Sequence, residues 1–199
     1  MDLSAYKGII FDMDGTLVDS MPAHLKAWEQ TCAIHEIPFD AKWFYSLGGM
    51  PTIRTAQEIN RRYRQNFDVK RLAETKCKFF DEIEFKGEII ESTYDLLLEH
   101  KENMKIAVGT GCRRFNAEPL LGDTGILPLL DALVTSDDVV NHKPNPDTFL
   151  EAAKRIGLNP KDCVVFEDTE LGKTAALAAG MDCYIVSQNG EIGELTPSQ

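Results

Sequence analysis

Carboxylates, a threonine and a lysine sit just beyond short apolar runs, and that placement is where this sequence could do chemistry. Gly8-Ile9-Ile10-Phe11 leads into Asp12-Met13-Asp14-Gly15-Thr16, and Ile106-Ala107-Val108 leads into Gly109-Thr110-Gly111. Ala132-Leu133-Val134 is followed by Thr135-Ser136-Asp137-Asp138 and then His142-Lys143-Pro144, while Cys163-Val164-Val165-Phe166 ends in Glu167-Asp168. Gathered together, Asp12, Asp14 and Asp168 would repel one another unless a cation sat among them. An all-oxygen ligand set favours a hard divalent ion, with Mg2+ the natural candidate. Such an ion, the Lys143 ammonium, and the hydroxyl and amides at Thr110 and Gly111 are equipment for stabilising charge during phosphoryl transfer. A remaining aspartate can itself accept the phosphoryl group. Positions i and i+2 leaving a strand point the same way, so Asp12 and Asp14 would face one substrate.

The apolar runs that must position these groups are too short for helices. A fifth, Cys183-Tyr184-Ile185-Val186, completes the set. Helix-like stretches at 116–121, 147–156 and 170–179 separate the last four runs, which makes βαβ units. Near-continuous rather than alternating apolarity is what a parallel sheet covered on both faces requires. The expected architecture is therefore an α/β doubly wound parallel sheet, which binds ligands at the carboxyl ends of its strands. Between Ser20 and Glu91 the pattern turns polar and helix-forming, broken by Pro38 and by Gly48-Gly49-Met50-Pro51. Leu25, Trp28 and Cys32, and later Ile53, Ala56, Ile59 and Tyr63, recur at helical spacing. This predicts a helical insertion over 21–91, with 1–20 and 92–199 forming the sheet unit. The insertion holds 11 basic and 11 acidic side chains, so the sheet unit carries the whole net charge of −11. Arg61, Arg62, Arg64, Lys70 and Arg71 read as a solvated helix surface.

The 199 residues are 43% hydrophobic and 27% charged, inside the globular range. The acidic balance argues against nucleic acid and anionic lipid as partners. No apolar run approaches the roughly 18 residues of a membrane helix, and the first residues lack a signal-peptide pattern. A cytoplasmic monomer acting on a small phosphorylated metabolite is the expectation. Five scattered cysteines without a C-x-x-C pair read as reduced thiols, not as a disulfide framework or a zinc site. A cysteine-phosphatase loop at Cys112 fails, because Glu118 stands where its arginine belongs. Gly172-Lys173-Thr174 imitates the end of a P-loop, but Glu167 stands where the first glycine belongs.

Together these residues resemble the haloacid dehalogenase superfamily, in the branch with a helical cap inserted after the first motif. Four segments carry the resemblance in order: 12–20 (DMDGTLVDS), 108–111 (VGTG), 142–149 (HKPNPDTF) and 165–168 (VFED). It implies Asp12 as nucleophile, Asp14 as general acid and base, and Thr110 and Lys143 as phosphate holders. Mg2+ would be held by the Asp12 side chain, the Asp14 backbone carbonyl and Asp168, with Glu167 in support. Thr16, His24, Gly49, Arg54, Lys76 and Gly111 are the candidate substrate contacts. Among sugar-phosphate enzymes the motifs look most like the fructose-1-phosphate phosphatase type, whose close relative is β-phosphoglucomutase. The mutase pattern G-x-x-R after the cap hairpin would place its arginine at Thr52, and this sequence offers only Arg54 two residues later. A phosphatase working through an aspartyl-phosphate is therefore expected, with the mutase as the alternative. A non-enzymatic receiver-type phospho-acceptor is a remote third, disfavoured by Asp14. Asp19-Ser20 and the segment before Ser92 are the expected hinges.

Overall fold

The computed structural model describes residues 1–198. Six strands, β1 (Gly8–Phe11), β2 (Lys105–Gly109), β3 (Ala132–Val134), β4 (Cys163–Glu167), β5 (Asp182–Val186) and β6 (Ile192–Thr196), form one sheet in the order β3-β2-β1-β4-β5-β6. The first five are parallel and β6 is antiparallel to β5. Alternation along each strand splits the core into two layers. Ile9, Phe11, Ile106, Val108, Val164 and Phe166 pack with α5 (Glu91–His100) and α6 (Arg114–Asp123) on one face. Ile10, Ala107 and Val165 pack with α7 (Asp147–Arg155) and α8 (Glu170–Ala178) on the other.

The sequence pattern did not announce β6. It is a half-exposed edge strand, so it needs no continuous apolar run. Helix α5 was equally silent, with only Thr93, Leu96 and Leu97 buried on one narrow face.

Chain order reverses beside β1, because β2 and β3 lie to one side and β4 to the other. In register, Phe11 stands opposite both Val108 and Phe166. The residues just past these positions leave the sheet together at the crevice where such folds bind ligands.

Four helices fill the stretch between β1 and α5: α1 (Met21–Ile34), α2 (Ala41–Ser46), α3 (Thr52–Tyr63) and α4 (Val69–Asp81). They have their own apolar centre of Trp28, Cys32, Ile37, Phe44, Ala56, Ile59 and Leu72. Asp40 caps α2 by accepting from the Trp43 amide, and Asp68 caps α4 by accepting from the Lys70 and Arg71 amides. The two connections to the sheet run side by side. The Asp19 amide donates to the Glu88 carbonyl at 2.8 Å and the Ile90 amide to the Leu17 carbonyl at 2.9 Å. Among the described residues no helix is long and apolar enough to cross a membrane.

Loops after β2 and β3 are tied together by the two aspartates at 137 and 138. Asp137 accepts from the Arg114 amide at 2.9 Å, at the start of α6. Asp138 accepts from the Thr135 amide and hydroxyl, both at 2.8 Å, from Arg114 at 2.7 Å and from Arg155 at 2.9 Å. Burial pushes the Asp138 carboxyl up, but the Thr135 amide and hydroxyl and the two guanidiniums more than offset this and hold it well below the usual carboxylate range. Asp138→Asn should therefore cost about 2 kcal/mol at pH 7. Because the carboxyl is depressed in the folded state, that advantage is full above the ordinary carboxylate range and disappears as pH falls toward the folded-state value. Urea unfolding of both proteins from pH 7 downward checks this. A gap independent of pH would show that shape, not charge, holds the loops.

Candidate active site

Asp12 stands one residue past β1, its amide donating to the Phe166 carbonyl of β4 at 2.9 Å. Its carboxylate is almost wholly buried and accepts from the Lys143 ammonium at 2.6 Å. The same ammonium, itself 2% exposed, donates to Glu167 at 2.8 Å and lies 4.6 Å from the centre of the Phe149 ring. The second Glu167 oxygen accepts from the Thr169 amide at 2.7 Å and hydroxyl at 2.8 Å. Both Glu167 oxygens are therefore committed, and its visible task is to fix Lys143. Room for that carboxylate comes from Gly172 of α8, where a side chain would occupy the same space. A glycine inside a helix costs about 1 kcal/mol against alanine, so the packing explains why one is there.

Asp12, Glu167 and Asp168 each bring a carboxylate oxygen within 4.8 Å of the others. Burial, together with the charges of Glu167 and Asp14, pushes Asp12 up to about 8 although Lys143 pulls it down. Burial and the charges of Glu167 and Asp12 push Asp168 up to about 9. The Lys143 ammonium, which burial disfavours, is held charged by Asp12 and Glu167. Ionised together, three carboxylates against one ammonium would carry two negative charges in a dry site, which is the charge of one divalent cation. The raised values of Asp12 and Asp168 express the cost of that charge without one. The donors are all oxygen, which suits Mg2+.

Asp14 looks away from that cluster. Its carboxylate accepts from the Ser20 hydroxyl, lies 3.1 Å from Nε2 of His24 and 3.4 Å from the Thr110 hydroxyl. His24 belongs to α1, stacks on Phe80 at 4.2 Å between ring centres, and receives the Lys76 ammonium on Nδ1 at 2.7 Å. An ammonium only donates, so Nδ1 is the acceptor and Nε2 carries the proton given to Asp14. This makes His24 a neutral imidazole. Its pKa is lowered, in agreement, by burial and by Lys76 against the pull of Asp14. Burial also lowers Lys76, while Asp14 stays below the usual range because His24, Ser20 and Lys76 outweigh its burial. Thr110 is fixed by the Cys112 amide, which donates to its hydroxyl oxygen at 3.0 Å.

Above this edge lies a cavity whose walls include Asp14, His24, Trp28, Gly49, Thr52, Thr55, Lys76 and Gly111. The space left for the centres of water molecules is about 60 Å³. The α2–α3 loop presses directly on the sheet edge. Gly49, at φ 77°, brings its carbonyl to where a side chain on Gly111 would be, and lies against Lys143. Both positions need glycine for close approach.

The structure thus brings Asp12, Lys143, Glu167 and Asp168 into one cluster, and Asp14, His24, Lys76 and Thr110 into another beside it. Thr16 is fully buried, and its hydroxyl has no hydrogen-bond partner among the described residues. Arg54 is not brought to the cavity. Helix α3 starts at Thr52, so Thr52 and Thr55 share the inward face while Arg54 falls on the other side, exposed and bonded to Gln57 at 3.3 Å. Thr169 was missed by sequence reasoning, although a threonine just before a helix is an ordinary cap and its hydroxyl does accept from the Gly172 amide. Tyr45 was missed as well, and no pattern in its surroundings marks it.

Residues 9–186 match the haloacid dehalogenase-like hydrolases. The chain belongs to this family. It is 40% identical over 181 residues to the fructose-1-phosphate phosphatase YqaB of Escherichia coli (strain K12), a match covering 91% of this chain and 96% of that one. It is 30% identical over 192 residues to a β-phosphoglucomutase of Bacillus subtilis (strain 168), covering 92% and 84%. The solved β-phosphoglucomutase of Clostridium difficile superposes with a TM-score of 0.80 at 28% identity, covering 89% of this chain and 83% of that one.

Proposed function

We propose that this hydrolase, a phosphoric monoester hydrolase by its family, releases phosphate from a small sugar monophosphate of the fructose-1-phosphate type, through a phosphoryl group carried on Asp12. The observation that carries the choice of hydrolysis is the face of α3 turned to the cavity. It offers Thr52 and Thr55, and Arg54 does not line the cavity, its guanidinium bonded to Gln57 instead. A mutase must hold a bisphosphate by its distal phosphate, a task suited to bidentate arginine contacts. Threonine hydroxyls suit sugar hydroxyls instead. The phosphatase relative at 40% identity supports the same reading.

In this mechanism the Asp12 carboxylate attacks phosphorus and the sugar oxygen leaves. Lys143 neutralises charge on the phosphoryl oxygens, and the Thr110 hydroxyl donates to one of them. Asp14 gives the departing oxygen its proton, then takes one from the water that attacks the phosphorylated Asp12. The hydrogen bonds from Ser20 and His24 favour the ionised Asp14 of the second step, while negative charge on an arriving phosphate favours the acid form needed in the first. Asp12, the Asp14 carbonyl and Asp168 would hold Mg2+, which when bound supplies charge stabilisation to the transferring group. We assign α1–α4 as a cap that pivots on the paired connections at 17–20 and 87–90, since the α2–α3 loop lies directly on the sheet edge, with Gly49 against Gly111 and Lys143.

A panel of phosphorylated sugars with Mg2+ tests the assignment. Fructose-1-phosphate or a similar monophosphate should release inorganic phosphate, with little conversion of β-glucose-1-phosphate to glucose-6-phosphate even when primed with a bisphosphate. Isomerisation faster than phosphate release, and lost in Arg54→Ala, would establish the mutase reading instead.

A further inference from the structure

Asp168 has one carboxylate oxygen with a partner outside the acidic cluster. The Tyr45 hydroxyl donates to its Oδ2 at 3.2 Å. Close to the same oxygen lies the backbone of Gly15, at φ 85°, where any side chain would collide with Oδ2. Asp168 is therefore gripped between a fixed turn of the sheet unit and a phenol from the helices above. That phenol is firmly attached to its own unit. Tyr45 follows Phe44, which is 3% exposed in the apolar centre of α1–α4, and the short helix carrying both is capped by Asp40. Three residues after Tyr45, Gly48 rests on Thr169 beside Asp168.

We infer that Tyr45 is a positioning residue for the metal ligand Asp168, supplied by the cap, so that the cation is held more tightly when the cap is closed. The inference rests on Asp168 being a ligand, as proposed above. A carboxylate has lone pairs to spare beyond the one that Tyr45 occupies. A hydrogen bond to a ligating carboxylate fixes its orientation, and losing such a partner weakens metal affinity by about 10–100-fold. Opening the cap withdraws the phenol, because Tyr45 travels with α2. Linkage then requires the reverse effect: a bound cation must favour the closed arrangement by the same factor.

Tyr45→Phe removes the hydroxyl and keeps the ring. Mn2+ titrated into the full-length protein, followed by the loss of its free-ion magnetic resonance signal, reads affinity without turnover. Tyr45→Phe should bind Mn2+ at least tenfold more weakly than the unaltered protein. Hydrogen exchange supplies a second reading on the unaltered chain: Mn2+ should slow exchange at the paired connections, and should do so less in Tyr45→Phe. Equal Mn2+ affinity in the two proteins would overturn the inference while leaving the metal site standing, as would exchange at the connections that Mn2+ does not change. An unaltered protein that binds no Mn2+ would overturn the metal reading, and this inference with it.

Discussion

Asp12→Asn is expected to abolish phosphate release, by about 10⁴-fold or more, and to leave a folded protein. An amide is a poor nucleophile and a weaker metal ligand, and removing the nucleophile of a group that acts as a unit typically costs that much or more. Stability should hold, because the change removes a buried carboxylate that desolvation and neighbouring charges already push up to about 8. Lys143 keeps Glu167 as its ionic partner at 2.8 Å. Steady-state turnover and thermal unfolding measure the two halves of this expectation. Ordinary turnover would remove Asp12 from the chemistry. Loss of the fold would give it a structural role instead.

Lys143→Met should be the more damaging change, because it strikes stability and catalysis together. Its ammonium is bonded to both Asp12 and Glu167, and all three side chains are buried. Breaking such a pair by removing one member costs about 3–5 kcal/mol, since uncompensated charge remains in a dry site. At about 2–4 °C per kcal/mol for a domain of this size, the melting temperature should fall by about 10 °C. The sign of the pH dependence follows. Without Lys143 the Asp12 carboxyl, already pushed up to about 8 with it present, is pushed higher still, so the deficit should grow as pH rises above about 8 and shrink toward a lower plateau as pH falls below it. Denaturant midpoints at pH 9.5 and 7 test this, and a deficit of the same size at both would contradict the ionic account.

Much of this was legible because strand-end chemistry is local. Continuous apolar runs marked five strands, and each carboxylate, threonine or lysine that the sheet unit brings to the site stood within a few residues of a run or in the loop after it. What was not legible depends on three-dimensional approach. Arg54 differs from Thr52 by two residues, yet on a helix two residues are enough to turn a side chain from the cavity to solvent. The apolar spacing read on this helix included Ile53, which is exposed, beside Ala56 and Ile59, which are buried, so it blurred which face turned inward. Tyr45 reaches Asp168 across 123 positions of sequence, and its helix is a six-residue turn with a single buried residue, Phe44. The partners of Asp14 were half visible. Ser20 lies within the first motif and His24 on the expected helix, but the Lys76 contact that fixes the imidazole tautomer comes from packing of α1 against α4. Strand β6 escaped because an edge strand with one solvated face carries no strong apolar signal.

The central claim is that a phosphoryl group passes through Asp12 and then to water. Rapid quenching during the first turnover of a ³²P-labelled sugar monophosphate, with borohydride reduction to trap any acyl phosphate, tests it most directly. Label should appear on the protein within one turnover, map to the peptide containing Asp12, and decay as inorganic phosphate forms. Release of phosphate at the full rate with no labelled protein, or label mapping to any other residue, would contradict the account.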